Sequence, residues 1–346
     1  MVTETRSPTV LVTGASGFIA THCILQLLEQ GYRVRGTLRT PSHETTLHQL
    51  FARHVGADNQ LEFAEADLLK EDGWREAVRG CEYILHLASP LPAGPPKDEN
   101  ELIVPARDGT LRVLKAAASE GVKRVVLTSS ISAMATGHME DCIQYDESDW
   151  SITDGMADAY AKSKTLAERA AWDFANNLQP GHPLELAVIN PATVLGPVLD
   201  AHFKGKSGEL VRRLLCHAYP GCARLCFPLV DVRDVAAAHL LAMTVPDAAG
   251  KRFCCVSETL WMVEIALILD KHYASRGYRI PTRVLPDFFF RAVALFDKTA
   301  RLVTYGLGKQ CAISNDQIVN VLGWQPRKAE EMIIDMAESM IQHGIV

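Results

Sequence analysis

The first half of the chain alternates between two patterns of apolar and polar positions. Short, nearly continuous apolar runs are typical of buried strands, and the longer segments between them carry apolar residues at the spacing of amphipathic helices. Strands are predicted at 10–13, 33–38, 61–64, 83–87, 125–128 and 186–190, and helices at 19–30, 73–78, 104–120 and 159–178. Strands that alternate with helices indicate a parallel sheet with helices on both faces.

After Pro197 the pattern is less regular. Helices are predicted at 209–217, 232–243, 262–272 and 329–343. Asp231 or Asp234 can cap the second of these helices, which is rich in alanine, so we expect it to pack back on the first region. The C-terminal helix carries an apolar stripe, which serves either to dock it on its own lobe or to form a dimer seam.

These patterns predict an α/β fold in two parts. A Rossmann-type doubly wound parallel sheet is expected from residues 1–197 and about 227–248, and a smaller mixed α/β substrate lobe from about 198–226 and 249–346. The length agrees with this division, because 346 residues exceed the roughly 250–300 at which one hydrophobic core stops growing.

Composition and charge exclude several classes of protein. Hydrophobic residues make up 48% of the chain and charged residues 22%, which is typical of a folded globular protein and not of a fibrous or disordered one. The 35 Lys and Arg residues and 41 Asp and Glu residues give a net charge of −6, which argues against nucleic-acid partners and a polybasic membrane anchor. The first forty residues differ, because four arginines there outnumber two glutamates.

The distribution of apolar residues and cysteines bears on the compartment. No apolar run approaches the roughly 18 residues of a membrane span, and the run at 9–12 is too short for the core of a secretion signal. The nine cysteines are odd in number and scattered, unlike a secreted disulfide framework. We therefore predict a cytoplasmic protein. Cys216, Cys222 and Cys226 lack the paired spacing of a zinc site, so no metal is predicted.

The turn after the first strand has the order of a dinucleotide-binding motif. It consists of Gly14, Ala15, Ser16, Gly17, Phe18, Ile19 and Ala20. Gly14 permits a tight turn, Gly17 lets the backbone approach a pyrophosphate, and the following helix directs its N-terminal amides at the anion. An ordinary strand-to-helix turn is the simpler alternative, but the position after the first strand favours nucleotide binding.

The residue after the second strand bears on the choice of dinucleotide. NAD-binding proteins usually carry an acidic residue there for the ribose hydroxyls, whereas this chain has Arg39. A guanidinium is suited to the 2′-phosphate of NADP, with Arg35 or His43 as candidate helpers. The alternative is a solvated surface arginine. We predict NADPH or NADP+ as the cofactor in preference to NADH.

Three polar side chains form a candidate catalytic group. Tyr160 and Lys164 are four residues apart at the start of a predicted helix, so they share one face. An ammonium beside a phenol is expected to lower the tyrosine pKa from its usual value of about 10, so that the phenol acts as a general acid. The spacing alone is weak evidence. However, it follows a strand that ends in Thr128, Ser129 and Ser130, at a sheet edge where ligands bind, and we expect Ser130 to hydrogen-bond a substrate carbonyl.

Eight stretches of the chain resemble the extended short-chain dehydrogenase/reductases, and within them the dihydroflavonol 4-reductase group with its aldehyde, methylglyoxal and ketone reductase relatives. The stretches are TGASGFIATH at 13–22, TLRT at 37–40, DL at 67–68, HLASP at 86–90, RVVLTSS at 124–130, YAKSKTLAERAAW at 160–172, NPATVLGP at 190–197 and VDVRDVA at 230–236. The resemblance implies a reductase that transfers hydride from NADPH to a carbonyl of a small molecule, such as an aldehyde, a ketone or a dihydroflavonol-like compound.

The resemblance also implies roles for individual residues. Ser130 would polarise the carbonyl, Tyr160 would protonate its oxygen, and Lys164 would lower the pKa of Tyr160 and bind the nicotinamide ribose. Further cofactor contacts are implied at the ends of other strands, near the adenine, along the cleft and at the nicotinamide. Those near the adenine are Asp67 and Leu68, those along the cleft are Ala88, Ser89 and Thr128, and those at the nicotinamide are Pro191 and Val194.

Other hypotheses about the function stay open. A sugar-nucleotide epimerase or dehydratase is one alternative. Dehydratases of that kind carry an Asp-Glu pair where this chain has Ile131 and Ser132, and Arg39 disfavours the tightly bound NAD that epimerases recycle. A 3β-hydroxysteroid dehydrogenase-like enzyme is a nearer rival, and a non-catalytic dinucleotide sensor is disfavoured because all three catalytic side chains are present. The substrate is not determined, because 91–96 and 131–144 depart from the family and 155–158 lacks the aromatic cluster of the plant enzymes. A monomer and a homodimer both fit the sequence.

Overall fold

A computed structural model describes residues 7–56, 60–90, 96–138, 144–154, 158–201, 203, 205, 208–293, 304 and 306–346. The strands are β1 Thr9–Val12, β2 Arg33–Leu38, β3 Leu61–Glu65, β4 Tyr83–His86, β5 Arg124–Thr128, β6 Gln144–Tyr145, β7 Glu185–Pro191, β8 Thr193–Leu195, β9 Cys226–Asp231, β10 Arg252–Cys255, β11 Glu258–Trp261 and β12 Ala312–Ile313. The helices are α1 Phe18–Glu29, α2 Glu44–Val55, α3 Trp74–Val78, α4 Asn100–Ser119, α5 Ala159–Asn176, α6 Glu209–Leu215, α7 Val232–Thr244, α8 Met262–Tyr273, α9 Asp287–Val293, α10 Asp316–Leu322 and α11 Ala329–Gln342.

Seven strands form one parallel sheet in the order β10-β7-β5-β4-β1-β2-β3. Val10 in the middle of this sheet faces Val34 of β2 on one side and Tyr83 of β4 on the other. The order of strand addition reverses between β1 and β4, which creates a crevice at the carboxyl ends of these strands. The predicted Rossmann-type doubly wound sheet is therefore confirmed.

Helices cover both faces of this sheet. Successive side chains of a strand point to opposite faces, and both faces are therefore apolar and must be buried. Val10 and Val12 pack with α1, α2 and α7, whereas Leu11 packs with α3, α4 and α5. The carboxylate of Asp231 caps α7 by accepting a hydrogen bond of 2.7 Å from the backbone N–H of Arg233. Since α7 packs against α1 and β7, the predicted return of this segment to the first region is confirmed.

A second apolar core lies beside the first. Strands β8, β9 and β11 form a three-stranded sheet in which β9 is parallel to β8 and antiparallel to β11. Side chains from α6, α8 and α11 pack against this sheet and form the second core together with its Leu195 and Leu229. Strands β6 and β12 form a separate parallel pair. Within the described residues, no helix is long and apolar enough to cross a bilayer.

The structure corrects the predicted lobe boundary in two places. Strand β10, which falls within the predicted substrate lobe 249–346, extends the parallel sheet by pairing with β7. From the same range, Ile318, Leu322 and Trp324 pack in the core on the α1 face of the sheet. The four residues of β10 begin with Arg252 and are not the continuous aliphatic run that marks a central strand. The free edge of β7 therefore decides where this strand pairs.

Candidate active site

The glycine turn brings the end of β1 against the segment after β4. Gly14 has a φ of +68°, and a Cβ there would lie 3.2 Å from Ala88 Cα and Cβ. The N–H of Gly17 donates to Gly14 O at 2.8 Å, and α1 begins at Phe18 directly after it. The first N–H groups of a helix have no intrahelical acceptor. The turn therefore presents backbone donors and a positive helix end, which suit a phosphate.

A buried network that the sequence did not reveal holds this turn in place. Thr13 Oγ1 accepts hydrogen bonds from the N–H groups of Leu87 and Ala88 at 3.0 and 2.9 Å, so its own proton points at His86 Nδ1, 2.8 Å away. The Thr110 hydroxyl donates to a carbonyl of its own helix, so the ring proton of His86 lies on Nε2, 3.5 Å from Thr110 Oγ1. Burial, together with the nearby Lys164 charge, lowers the pKa of His86 to about 3.

The two arginines proposed for a ribose phosphate differ in the structure. Arg35 is engaged: its Nε donates to Glu62 Oε1 at 2.8 Å, and its Nη1 donates to the carbonyls of Ala77 and Arg79. Arg35 is therefore not included in the proposed phosphate site, because its side chain is committed to structural contacts. Arg39 is exposed beyond β2 and forms no hydrogen bond or ion pair within the described part of the chain.

The candidate proton donor lies at the start of α5, opposite the end of β5. Asp158 caps α5 by accepting a hydrogen bond of 2.7 Å from the N–H of Ala161. This cap fixes Tyr160 in the first turn, where the Ser130 hydroxyl is near enough to lower the pKa of the Tyr160 phenol against the effect of burial. Ser130 Oγ also accepts from the N–H of Ser132 at 3.1 Å. The two predicted catalytic side chains are therefore neighbours in the structure.

The pKa of Tyr160 differs from the sequence-based expectation. Burial raises it, the charge of Asp158 acts in the same direction, and the hydrogen bond from Ser130 opposes both. The predicted lowering of the Tyr160 pKa by Lys164 is therefore wrong. Desolvation of the phenolate dominates, and the Lys164 ammonium donates to the backbone carbonyl of Thr128 at 3.2 Å. Within the protein, the phenol therefore keeps its proton at neutral pH.

Lys164 is buried one turn after Tyr160, and burial lowers its pKa to about 8, with Glu168 opposing the shift. Thr128 supplies its carbonyl to this lysine, whereas its hydroxyl donates to His239 Nε2 at 2.7 Å. The Thr128 side chain thus faces α7. The ring of His239 is buried, which lowers its pKa to about 4.

Four of the predicted cofactor residues line one cavity. Ala88, Ser89, Thr128 and Lys164 meet there, together with Ser129. The buried Ser129 hydroxyl has no hydrogen-bond partner within the described residues, and a buried polar atom of this kind calls for a ligand or ordered water. This orphaned hydroxyl and the close approach at the glycine turn both fit a dinucleotide.

The remaining cofactor candidates lie further along the same edge. Asp67 and Leu68 follow β3, where Leu68 packs so closely on Gly109 that a Cβ there would lie 2.9 Å from its side chain. Pro191 ends β7 and Val194 lies buried in β8. The predicted cofactor residues thus lie along one edge of the sheet, at the carboxyl ends of β3, β2, β1, β4, β5 and β7. Within the predicted substrate segments, 91–95, 139–143 and 155–157 lie outside the described residues.

A doubly wound sheet with a glycine turn and a Ser-Tyr-Lys group at its carboxyl edge defines the short-chain dehydrogenase/reductase class. The chain matches the NAD dependent epimerase/dehydratase family over residues 10–254. It is 37% identical over 278 residues to cinnamoyl-CoA reductase 1 of Petunia hybrida, which covers 79% of each chain. It is 31% identical over 348 residues to tetraketide alpha-pyrone reductase 1 of Arabidopsis thaliana, which covers 97% of this chain and 96% of that protein.

Among solved structures, yeast methylglyoxal/isovaleraldehyde reductase Gre2 in complex with NADPH matches with a TM-score of 0.79 at 25% identity, covering 98% of this chain and 100% of Gre2. The chain belongs to the NAD dependent epimerase/dehydratase family and is a reductase of the extended short-chain dehydrogenase/reductases. The family predicted from the sequence, and the prediction of an oxidoreductase, are therefore confirmed.

Proposed function

We propose that this reductase uses NADPH to reduce a carbonyl group of a small molecule, with Tyr160 as the general acid. The observation that carries the proposal is that Ser130 lies near enough to Tyr160 to lower the pKa of its phenol against the effect of burial, at the sheet edge that also holds the buried Lys164. A proton donor and a neighbouring second hydroxyl are the groups that an oxyanion forming at a carbonyl needs.

Each residue then has a distinct task. NADPH supplies the hydride. Ser130 donates a hydrogen bond to the carbonyl oxygen, and Tyr160, which burial keeps protonated, transfers its proton to that oxygen. Lys164 binds the nicotinamide ribose and stabilises the phenolate that forms, since its buried ammonium lies on the same helix face one turn away.

NADPH is proposed over NADH because of the state of Arg39. An exposed guanidinium without a partner in the described part of the chain, directly after β2, is free to pair with a 2′-phosphate. The Gre2 structure in complex with NADPH agrees with this choice. The amides of the glycine turn bind the pyrophosphate, and the side chains after β3 border the adenine.

The substrate is proposed only as a class: aldehydes, ketones or dihydroflavonol-like compounds. The relatives named for cinnamoyl-CoA and for a tetraketide alpha-pyrone add acyl-CoA thioesters and polyketide pyrones to the panel that deserves testing. A cytoplasmic location and a monomeric or homodimeric state are part of the same proposal.

The experiment is a carbonyl panel assayed by NADPH oxidation at 340 nm, with aldehydes, α-dicarbonyls, β-keto esters, dihydroflavonols, acyl-CoA thioesters and pyrones. We expect turnover with stoichiometric release of NADP+. An isomerised product without net cofactor oxidation would instead indicate an epimerase. Turnover of sterols with NAD would indicate a 3β-hydroxysteroid dehydrogenase-like enzyme, and NADPH binding without turnover on the whole panel would indicate a sensor.

A further inference from the structure

A fully buried carboxylate lies one turn beyond Lys164 on α5. Glu168 is 0% exposed, and its Oε2 accepts a hydrogen bond of 2.8 Å from Asn190 Nδ2 on β7. Its Oε1 accepts from Trp172 Nε1 at 3.3 Å and lies 2.7 Å from Arg252 Nε on β10. The Arg252 N–H is not directed at the oxygen, so that contact is an ion pair rather than a hydrogen bond. A carboxylate this deep persists only because it is paired.

The first link from Glu168 to the catalytic group runs through Asn190. The same Nδ2 that donates to Glu168 also donates to the backbone carbonyl of Ser130 at 3.2 Å. Ser130 in turn lies near enough to Tyr160 to lower the pKa of its phenol against the effect of burial. A rigid side chain therefore joins the buried carboxylate to the backbone that aims the catalytic serine.

The second link is electrostatic. Glu168 and Lys164 line the same cavity and are neighbours on one helix face, so the carboxylate favours the charged form of the lysine and raises its pKa against the effect of burial. His86 on β4 faces Lys164 but burial keeps it neutral. From β10, Arg252 faces Glu168. Strand β5 contributes the Thr128 carbonyl, and α4 contributes the uncharged Thr110.

We propose that Glu168 is a positioning residue for the reduction, which holds Ser130 in place through Asn190 and keeps Lys164 in its ammonium form at neutral pH. The inference rests on the proposed function of Ser130, Tyr160 and Lys164. Arg252 completes the arrangement, because its guanidinium stacks 3.9 Å from the Trp150 ring and is thereby fixed against Glu168.

Two variants separate the two links. We assign the basic limb of the pH profile of kcat/KM to Lys164, because burial raises the pKa of Tyr160. Glu168→Gln removes the carboxylate charge that favours the ammonium. This limb is therefore expected to move about one pH unit toward acid. Asn190→Ala breaks the link to Ser130 but leaves the carboxylate charged. It is expected to lower kcat about tenfold without moving the basic limb. Glu168→Asp, which keeps the charge, is the rescue variant and restores the wild-type limb.

A second measurement needs neither cofactor nor turnover. In protein labelled with 13C at the lysine ε-carbons, the Lys164 resonance, identified by its loss in Lys164→Arg, reports the lysine titration directly. We expect a midpoint near 8 in the wild type and a downward shift of about one unit in Glu168→Gln. Glu168→Gln/Arg252→Gln removes both charges of the ion pair. It is expected to show the same downward shift of the Lys164 midpoint, and it replaces the single variant in this measurement if that variant folds poorly.

Titration midpoints and basic limbs that coincide in wild type and in both Glu168→Gln variants would overturn the electrostatic link. An Asn190→Ala enzyme with wild-type kcat would overturn the positioning link. A wild-type protein that reduces no carbonyl would instead overturn the proposed function, and the 13C titration would still decide whether Glu168 controls the charge of Lys164.

Discussion

The two ends of the candidate cofactor cleft are built in opposite ways. Beyond β2, Arg39 is exposed and has no partner within the described residues, whereas beyond β5 Ser130 and Lys164 are buried and bonded to neighbours. A charge in water is screened and acts on a ligand that it touches. A buried group has its pKa set by the surrounding protein. The exposed end is therefore suited to selecting a cofactor, and the buried end to holding a proton.

The largest expected effect is at the buried end. Tyr160→Phe removes the proposed proton donor and is expected to lower kcat about 1000-fold while leaving NADPH affinity, measured by fluorescence titration, nearly unchanged. Tyr83→Phe, at the amino end of β4 and thus on the opposite edge of the sheet, is the matched control. Retained turnover in Tyr160→Phe would remove this residue from its role.

At the exposed end, a change of charge tests cofactor selection. Arg39→Asp is expected to raise the KM for NADPH about 100-fold and to leave that for NADH almost unaltered, because an acid repels the 2′-phosphate and the lost pair is charge-assisted. Arg33→Asp, at the other end of the same strand, is the control. Equal effects of Arg39→Asp on both cofactors would contradict the proposal.

Between the two ends, the Thr13 hydroxyl tests how far buried bonds hold the cleft in shape. Thr13→Val leaves the buried N–H groups of Leu87 and Ala88 without their acceptor and is expected to destabilise the fold by about 2 kcal/mol and to weaken NADPH binding. Urea unfolding measures the first effect and fluorescence titration the second. A stability equal to that of the wild type would show that ordered water replaces the hydroxyl.

A further expected effect is a pH dependence of stability. Burial lowers the pKa of His86 to about 3 and that of His239 to about 4, below the value of about 6.5 in an unfolded chain. Between pH 6.5 and 4 the unfolded state binds more protons, so the free energy of unfolding falls with falling pH. The expected slope approaches about 1.4 kcal/mol per pH unit for each histidine.

Urea unfolding at a series of pH values measures this slope. The glutamine oxygen in His239→Gln can still accept a hydrogen bond from Thr128. This variant is expected to reduce the slope of the unfolding free energy against pH by the contribution of one histidine. A slope that is the same in the variant and the wild type would mean that other groups dominate the acid sensitivity.

Local patterns predicted the elements of the sheet well and those outside it less well. The six predicted strands each overlap an observed strand, because a central strand of a parallel sheet is a continuous apolar run. Helix α2 was missed, since among its twelve residues only Leu47, Leu50 and Phe51 are buried and its remaining positions are mostly polar. Strands β6 and β10 were missed, because β6 has only two residues and β10 begins with an arginine and is not a continuous aliphatic run.

The candidate site could be predicted where its chemistry depends on neighbours in sequence. Gly14 and the start of α1 are adjacent, and Tyr160 and Lys164 share a helix face. The long-range contacts were missed: His86 hydrogen-bonds Thr13, 73 positions away, and Asn190 hydrogen-bonds Glu168 across β7 and α5. A buried histidine, asparagine or glutamate has no local signature that separates it from an exposed one.

By itself, the sequence determined the alternation of strand and helix, the glycine turn and the spacing of the catalytic side chains, because these follow from rules that act over a few residues. Only the tertiary structure decided that Arg35 is engaged while Arg39 is free, that β10 joins the main sheet, and that burial raises rather than lowers the pKa of Tyr160. Desolvation and pairing depend on which distant segments meet, and that information exists only in the folded chain.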